Sequence, residues 1–438
     1  MIDISFLREN IESLRWALKI KKIDLDLDAF LALDEQRSAA LRELEALRQQ
    51  RNENAALVQK GSGERDAFIA EGKRLKSTIQ EKEASFAALE QNYFEYIVRL
   101  PTVPASDTPL GKDDSENVEV TRWGTPPSFS FTPKDHVQLG KDLDLLDLEK
   151  GVKVSGYRGY YVKNDAVLLQ MGIMMHALQK AISKGFKPIL PPTLVKEFAL
   201  FGSGYFKGTT YNPETDEIYK IANDEKEADD TVKKENKFLI GTAEPSLLAY
   251  YAGDILEEKE LPLKLCGFSQ CYRSEIGSYG KDTKGMYRVH EFMKVELVCL
   301  TPADIAIADQ LHEELIALSR ELHEDLGLPY RQLRICSGDL TVGKYKQYDM
   351  EAWIPSRNGY GETGSASNFL DWQARRLNAR YRTRDGDVRH LYMLNDTALP
   401  SPRILIAILE NFQQADGSIL IPPVLRPYLG GKEFITHA

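Results

Sequence analysis

The sequence predicts an α+β protein, an antiparallel sheet with packed helices, preceded by an antiparallel coiled-coil helical hairpin that forms an arm. Three observations predict it. Mostly apolar residues recur at steps of three and four along Phe30, Leu33, Arg37, Ala40, Leu44, Leu47, Arg51, Asn54 and Val58, and again along Leu75, Ile79, Lys82, Phe86, Leu89, Tyr93, Tyr96 and Leu100, the pattern of two long helices sharing one seam. After Pro133, strand-like and helix-like runs succeed one another without strict βαβ alternation, which favours antiparallel pairing. No GxxxxGK(S/T) occurs and no glycine-rich dinucleotide loop is expected, so a bound nucleotide would need another cradle.

Taken in order, residues 1–27 form a docking segment with Phe6, Ile11, Leu14 and Leu18 at helical spacing. The arm follows, two helices of roughly 30 residues and so roughly 45–50 Å long, turned at Lys60-Gly-Ser-Gly63 and stopped by Pro101 and Pro104. Arg37, Arg51 and Asn54 stand in the seam where aliphatic residues would be more stabilising. Near the tip, Arg48, Arg51, Lys60, Arg65, Lys73, Arg74 and Lys76 outnumber the acids, so the arm is either a local phosphate-binding patch or an oligomerising coiled coil with a solvated face. Residues 1–105 make the N-terminal domain, a Pro-, Ser- and Thr-rich stretch over 106–133 the linker, and 134–438 the second domain.

In that second domain the patterns predict strands at Tyr160–Val162 and Gly185–Leu194 and a helix over Val167–Ser183. A charged insertion without apolar anchors covers 223–237, and a helix covers Pro245–Leu256. A strand hairpin is predicted from Lys264–Tyr272 and Tyr287–Leu300, then a helix over Thr301–Leu326. Strands are predicted at Tyr330–Cys336, Tyr348–Ile354, Phe369–Arg382 and Arg389–Asn395, and a helix from about Arg403 to Gln414.

A chain of 438 residues with 42% hydrophobic and 28% charged residues has the composition of a globular protein with two or three domains. Its net charge of -10 excludes coating nucleic acid by bulk electrostatics. No run is long and apolar enough for a membrane helix, and the acidic start is unlike a targeting peptide, which makes the cytoplasm the expected location. Cys266, Cys271, Cys299 and Cys336 lack CxxC spacing and no HExxH occurs, so neither a zinc site nor a disulfide scaffold is expected.

The chemistry gathers on the central hairpin. Phe292 and Glu296 lie an even number of residues apart and share a sheet face, and Arg273, Glu275 and Arg288 flank them. Activating a carboxylic acid with ATP brings two anions together, and their charge must be neutralised. Arg273 offers a bidentate fork at the α-phosphate. Arg288 and Arg403 suit the outer phosphates, Arg403 with help from a helix N-terminus. Phe292 suits an adenine face, and the backbone beside Glu275 its edge. Glu362 and Ser365, a helical turn or short bend apart, suit Mg2+, which takes few carboxylates and keeps several waters.

These residues, with Thr242-x-Glu244, the loop GSYGKDTKGMYRVHEF and the terminal ETGSASNFLDWQARRLNARYR and LNDTALPSPRILIAILEN, resemble class II aminoacyl-tRNA synthetases, and within them the bacterial-type seryl-tRNA synthetases. The resemblance covers nearly the whole chain. It implies ATP-dependent attachment of L-serine to tRNA-Ser through a seryl-adenylate, and leaves open charging of tRNA-Sec. It implies a serine site of Thr242, Ala243, Glu244, Arg273, Glu296, Asn395 and Thr397, with Glu244 at the ammonium and Thr397 at the hydroxyl. An ATP site of Arg273, Ser274, Glu275, Arg288, Val289, Phe292, Glu362, Thr363, Gly364, Ser365 and Arg403 is implied, with Glu362 and Ser365 holding Mg2+ and with Arg273, Glu362 and Arg403 catalytic. Arg48, Arg51, Lys73, Arg74 and Lys76 would meet a tRNA with a long variable arm, and Gly185–Pro192 would form a homodimer interface. No side chain stands out as general base for the second step, and the adenylate's phosphate oxygen is expected to serve.

Against the common pattern of that family, Lys281 and Lys284 replace Arg, Glu291 replaces Gln, and Thr363, Gly364 and Pro400 are unusual. Two other readings are weighed. A synthetase-like ligase that loads a carrier protein would lack the arm and use a zinc-bound Cys; a non-catalytic coiled-coil scaffold would need the charged set to be broken, and it is intact.

Overall fold

The computed structural model describes the chain apart from residues 60–64, 223–224, 227–231, 234, 277–283 and 438, and apart from the side chains of 225–226 and 232–233. It divides into two compact units, one of residues 2–100 and one of residues 101–438 together with Met1.

The first unit holds four helices, α1 (Ile4–Glu9), α2 (Ile11–Ile20), α3 (Leu27–Gln59) and α4 (Arg65–Ile97). Asp3 caps α1 by accepting from the Ser5 and Phe6 amides. Arg8 of α1 pairs with the buried Asp34 of α3 at 2.5 Å. The arm's two 33-residue helices are each about 50 Å long. Leu44, Leu75 and Ile79 are buried along the seam, and Phe30 packs on Tyr93 and Tyr96 with ring centroids 5.4 and 6.1 Å away. The polar seam residues find partners across it. Arg37 pairs with Glu90 and covers the Tyr93 ring, and Asn54 donates to the Phe68 carbonyl at 2.7 Å. Arg51 is exposed instead. The Lys60–Gly63 turn lies outside the described residues.

The second unit is built on an eight-stranded sheet. In chain order its strands are β1 (Val118–Trp123), β2 (Lys187–Ile189), β3 (Leu263–Tyr272), β4 (Glu291–Thr301), β5 (Tyr330–Arg334), β6 (Lys346–Ile354), β7 (Gly359–Asn368) and β8 (Tyr392–Pro400). Their spatial order is β1-β5-β6-β7-β8-β4-β3-β2. All neighbours pair antiparallel except β2, which joins β3 in parallel. The segment read as a linker therefore supplies an edge strand, and the expected strand over Gly185–Leu194 shrinks to three residues because Pro191 and Pro192 cannot continue a ladder.

Five further helices bear on the site: α5 (His136–Asp142), α6 (Asp165–Ser183), α7 (Glu244–Ala249), α8 (Ile305–Asp325) and α9 (Trp372–Leu377); α10 (Ser401–Asn411) follows β8. Leu169, Ile173, Leu315, Leu322, Ile404, Leu405 and Ile408 from α6, α8 and α10 are buried in the main core with Val295, Leu297 and Leu399 of the sheet. Two expectations fail here. The helix begun near Pro245 ends at Ala249, and Ile255–Glu257 becomes a short strand. The run Phe369–Arg382, expected as a strand, contains α9, because Gln373, Ala374 and Leu377 are buried at helical spacing. Gly202 admits that helix: a Cβ there would lie 2.2 Å from the Leu377 side chain. Asn378, at φ 52°, ends it.

Gly359–Gly364, GYGETG, does spell GxGxxG in letters. It lies wholly within β7, not at a strand-to-helix turn, and so forms no dinucleotide loop. All four cysteines are buried and free. No helix among the described residues is long and apolar enough to cross a membrane.

Candidate active site

The β3–β4 hairpin carries the site. Its register sets Cys271 opposite Phe292, Ser269 opposite Lys294 and Gly267 opposite Glu296, so Phe292, Lys294 and Glu296 share one face. Just past β3 the chain is pinned by two bonds. The Arg273 amide donates to the His290 carbonyl, and the His290 Nδ1 lies 2.9 Å from the Arg273 carbonyl. Arg273 then points inward, its Nε donating to the Gly241 carbonyl at 3.2 Å and its guanidinium 5.5 Å from the Phe292 ring centre. Glu275 has φ 55°, a left-handed backbone that costs a non-glycine residue free energy. Its carboxylate is held between Arg158 at 3.3 Å and Arg288 at 3.2 Å.

Two adjoining clefts open over this face, of about 670 and 960 Å3. The first is lined by Arg273, Glu275, Arg288, Val289, Phe292, Glu362, Thr363, Gly364 and Arg403. The second is lined by Glu244, Glu296, Ser365 and Asn395. Arg273, Lys294, Glu362 and Thr397 line both.

Three expected residues stand elsewhere. Thr242 and Ala243 are buried and line neither cleft, with Thr242 Oγ1 accepting from the Glu244 amide at 3.4 Å. Ser274 lines neither cleft; its Oγ is buried without a hydrogen-bond partner among the described residues, and its amide meets the Glu217 carbonyl.

In the second cleft, Glu244 Oε1 accepts from Gln373 Nε2 and Asn395 Nδ2, each at 2.7 Å. Burial, and then the charge of Glu296, push the Glu244 carboxyl up to about 7. Lys294 Nζ sits 2.5 Å from Glu296 and donates to Thr397 Oγ1 at 2.9 Å, and Thr397 Oγ1 donates to Glu296 at 3.3 Å. These three form one network facing the cleft, with Lys294 and Glu296 buried and Thr397 half-buried.

In the first cleft, Arg403 donates to the Glu362 carbonyl at 2.9 Å and to its carboxylate at 3.2 Å. Burial raises the Glu362 carboxyl, but the charges of Arg403 and Arg273 outweigh it and hold the group below its usual range. Glu362 and Ser365 are neither a helical turn nor a bend apart. They belong to β7, where a bulge makes Glu362 pair with Glu351 and Ser365 with Asp349. The extra residue, Thr363, lets two positions three apart face the same way. Thr363 itself turns to the opposite side, where its Oγ1 lies 2.8 Å from the buried His323 Nε2. Behind Ser365, Gln347 Nε2 donates to Ser365 Oγ at 3.0 Å and Asp349 Oδ1 at 2.8 Å. Burial, and then Glu362, push Asp349 up to about 7.

Sequence reasoning missed several of these groups. Lys294 had a signal, since it lies midway between Phe292 and Glu296 in the same phase. Tyr205, Lys344 and Gln347, which line the second cleft, and Asp349 and Gln373, which hold Gln347 and Glu244, gave none, because they come from elements distant in sequence.

On the arm, Arg48 pairs with Glu83 at 2.7 Å and Arg74 with Glu71 at 2.6 Å. Arg51 donates to Asn52 at 3.4 Å, and Lys73 and Lys76 are exposed. Two of the five arginines and lysines expected at tRNA are therefore engaged by carboxylates of the arm itself. Lys281 lies outside the described residues, and Lys284 pairs with Asp135.

Comparison with known proteins bears on this geometry. The seryl-tRNA synthetase N-terminal domain matches residues 1–104, and the tRNA synthetase class II core domain (G, H, P, S and T) matches residues 220–412. A serine–tRNA ligase of Treponema denticola is 42% identical over 437 residues, 98% of this chain and 99% of its own length. The chain belongs to the serine–tRNA ligase family. In structure it is similar to the seryl-tRNA synthetase of Pyrococcus horikoshii complexed with ATP, with a TM-score of 0.87, 36% identity and 100% of both chains covered. It is also similar to the cytoplasmic serine–tRNA ligase of Naegleria fowleri in complex with AMP, with a TM-score of 0.85, 28% identity, and 100% and 99% covered. As a member of that family the chain is an enzyme, a class II aminoacyl-tRNA synthetase that joins serine to tRNA, with a coiled-coil arm.

Proposed function

We propose that the enzyme activates serine as seryl-adenylate, with ATP in the first cleft and serine in the second, before transfer to tRNA. The observation that carries this reading is the junction of the clefts at Arg273, Lys294, Glu362 and Thr397; a carboxylate reacting with an α-phosphate must lie where the two substrates touch. The ATP and AMP held by the two structural relatives support a nucleotide as a substrate of this fold.

In the first step an oxygen of the serine carboxylate bonds to the α-phosphorus, the bond to the bridging oxygen breaks, and pyrophosphate leaves. Arg273 neutralises the approaching anions. Phe292 and Arg403 hold the nucleotide, the Glu275 backbone meets its base, and Arg288 meets the outer phosphates. Oxygen ligands on one face of β7, Glu362 and Ser365, fit Mg2+, and the described residues hold no cluster of three acidic, His or Cys ligands that would strip its waters. Bound there, Mg2+ would offset phosphate charge.

Glu244, held by Gln373 and Asn395, receives the serine ammonium. The Lys294–Thr397–Glu296 network receives the hydroxyl, so alanine leaves buried polar groups unanswered, while threonine must be rejected by shape. In the second step a ribose hydroxyl at the tRNA 3′ end attacks the carbonyl carbon and AMP leaves, with the adenylate's phosphate oxygen taking the proton. The arm lies along the long variable arm of tRNA-Ser through Arg48, Arg51, Lys73, Arg74 and Lys76. Charging of tRNA-Sec belongs to the same proposal. Leu190, Leu194 and Phe198, 81, 41 and 49% exposed, offer a second copy an apolar surface at and just beyond Gly185–Pro192.

Rapid-quench formation of adenylate from labelled serine and ATP tests the reading. Arg273→Ala is expected to slow it about 100- to 1,000-fold. An unchanged rate would remove Arg273 from the α-phosphate.

A further inference from the structure

We infer that His136 is a positioning residue for Arg403, acting through the segment Lys284–Tyr287 that re-enters the hairpin; the inference rests on the proposed role of Arg403 at ATP. His136 opens α5, far from the hairpin in sequence, and is buried. Its Nδ1 lies 2.7 Å from Glu410 Oε1, and its amide donates to the same oxygen at 2.9 Å. Glu410 is wholly buried in α10 and also accepts from the Ser356 amide and hydroxyl, each at 2.9 Å. One carboxylate thus fixes the imidazole with Nδ1–H toward Glu410 and leaves Nε2 as an acceptor.

That acceptor is used. The Met286 amide donates to His136 Nε2 at 3.3 Å, and Lys284 ties the same segment to Asp135. Gly285 makes the approach possible: its φ is +72°, and a Cβ there would lie 2.0 Å from His136 Nε2. The next residue, Tyr287, carries the constraint to the cleft. Its carbonyl accepts from Arg403 Nε at 3.3 Å. Its ring meets two guanidiniums, Arg403 at 4.5 Å and Arg357 at 4.4 Å from its centre, distances of favourable cation–π contact. Fixing Met286 therefore fixes both the carbonyl and the ring against which Arg403 is set.

Serine-dependent exchange of labelled pyrophosphate into ATP, with the full chain, tests this. His136→Leu removes the acceptor, and Gly285→Ala pushes the segment off an intact imidazole, so the second variant decides if the first does not fold. Each is expected to raise the KM for ATP about 10- to 100-fold while the KM for serine stays within about twofold. In an Arg403→Ala background, neither should add a further loss. An unchanged KM for ATP in Gly285→Ala, or losses that multiply with Arg403→Ala, would overturn the inference. Arg403→Ala alone reports on the underlying reading: if it leaves the KM for ATP unchanged, the proposed ATP role of Arg403 fails whatever His136 does.

Discussion

Glu244 shows most plainly how a single residue here trades stability for chemistry. Its carboxyl is raised to about 7 by burial and by Glu296, well above the value of an unfolded chain. The folded state therefore holds a proton that the unfolded state has already lost. Stability from this group is full below the unfolded pKa and declines as pH rises toward 7. Glu244→Gln, which keeps an oxygen for Gln373 and Asn395, is expected to gain about 1–3 kcal/mol over the wild type at pH 8 and close to nothing at pH 4, measured by urea unfolding. The same variant should lose serine activation, since it offers no charge to an ammonium. Legibility at this scale follows chain distance. The phase that joined Phe292 to Glu296 also ran through Lys294, and the resemblance named Asn395, whereas Gln373, the other partner of Glu244, arrives from α9 and no local pattern announces it.

Elements explain why those side chains converge. The β7 bulge brings Glu362 and Ser365 onto one face and turns Thr363 toward α8. Burial holds His323 at about 4 and hence neutral near pH 7; its Nδ1 faces the Ser319 carbonyl, so Nε2 accepts from Thr363. Thr363→Val keeps the volume and deletes that donor. It is expected to cost about 1–3 kcal/mol in denaturant unfolding, with activation reduced in parallel if the bulge relaxes. An unchanged stability would mean that the hydroxyl does not anchor the bulge. The arm was legible because its seam repeats over many turns and little tertiary context competes with it. The run FLDWQARRLNARYR was not, since its strand-like alternation and its helical burial share the same apolar residues, and the tertiary packing of Trp372, Gln373, Ala374 and Leu377, with Leu377 against Gly202, decides between them. A bulge, likewise, leaves no mark on the three-residue spacing of Glu362 and Ser365.

At the scale of the molecule, the sheet gathers strands from Val118 to Pro400, including one from a segment that reads as linker because Pro, Ser, Thr and acidic residues surround it and its partner β5 lies about 200 residues on. The exposed apolar residues around Leu190 belong to this scale too. Leu190→Asp is expected to shift sedimentation toward a monomer, and a monomeric wild type would remove the dimer from the account. The central claim, that activation resides in the clefts of the second unit and tRNA recognition in the arm, is tested most directly by serine-dependent pyrophosphate exchange beside threonine, alanine and glycine. The assay compares the full chain with one in which residues 28–100 are replaced by a short linker. The account predicts strong exchange with serine alone in both chains, and loss of tRNA charging in the shortened one. Exchange driven by another amino acid instead of serine, or charging that survives without the arm, would contradict it.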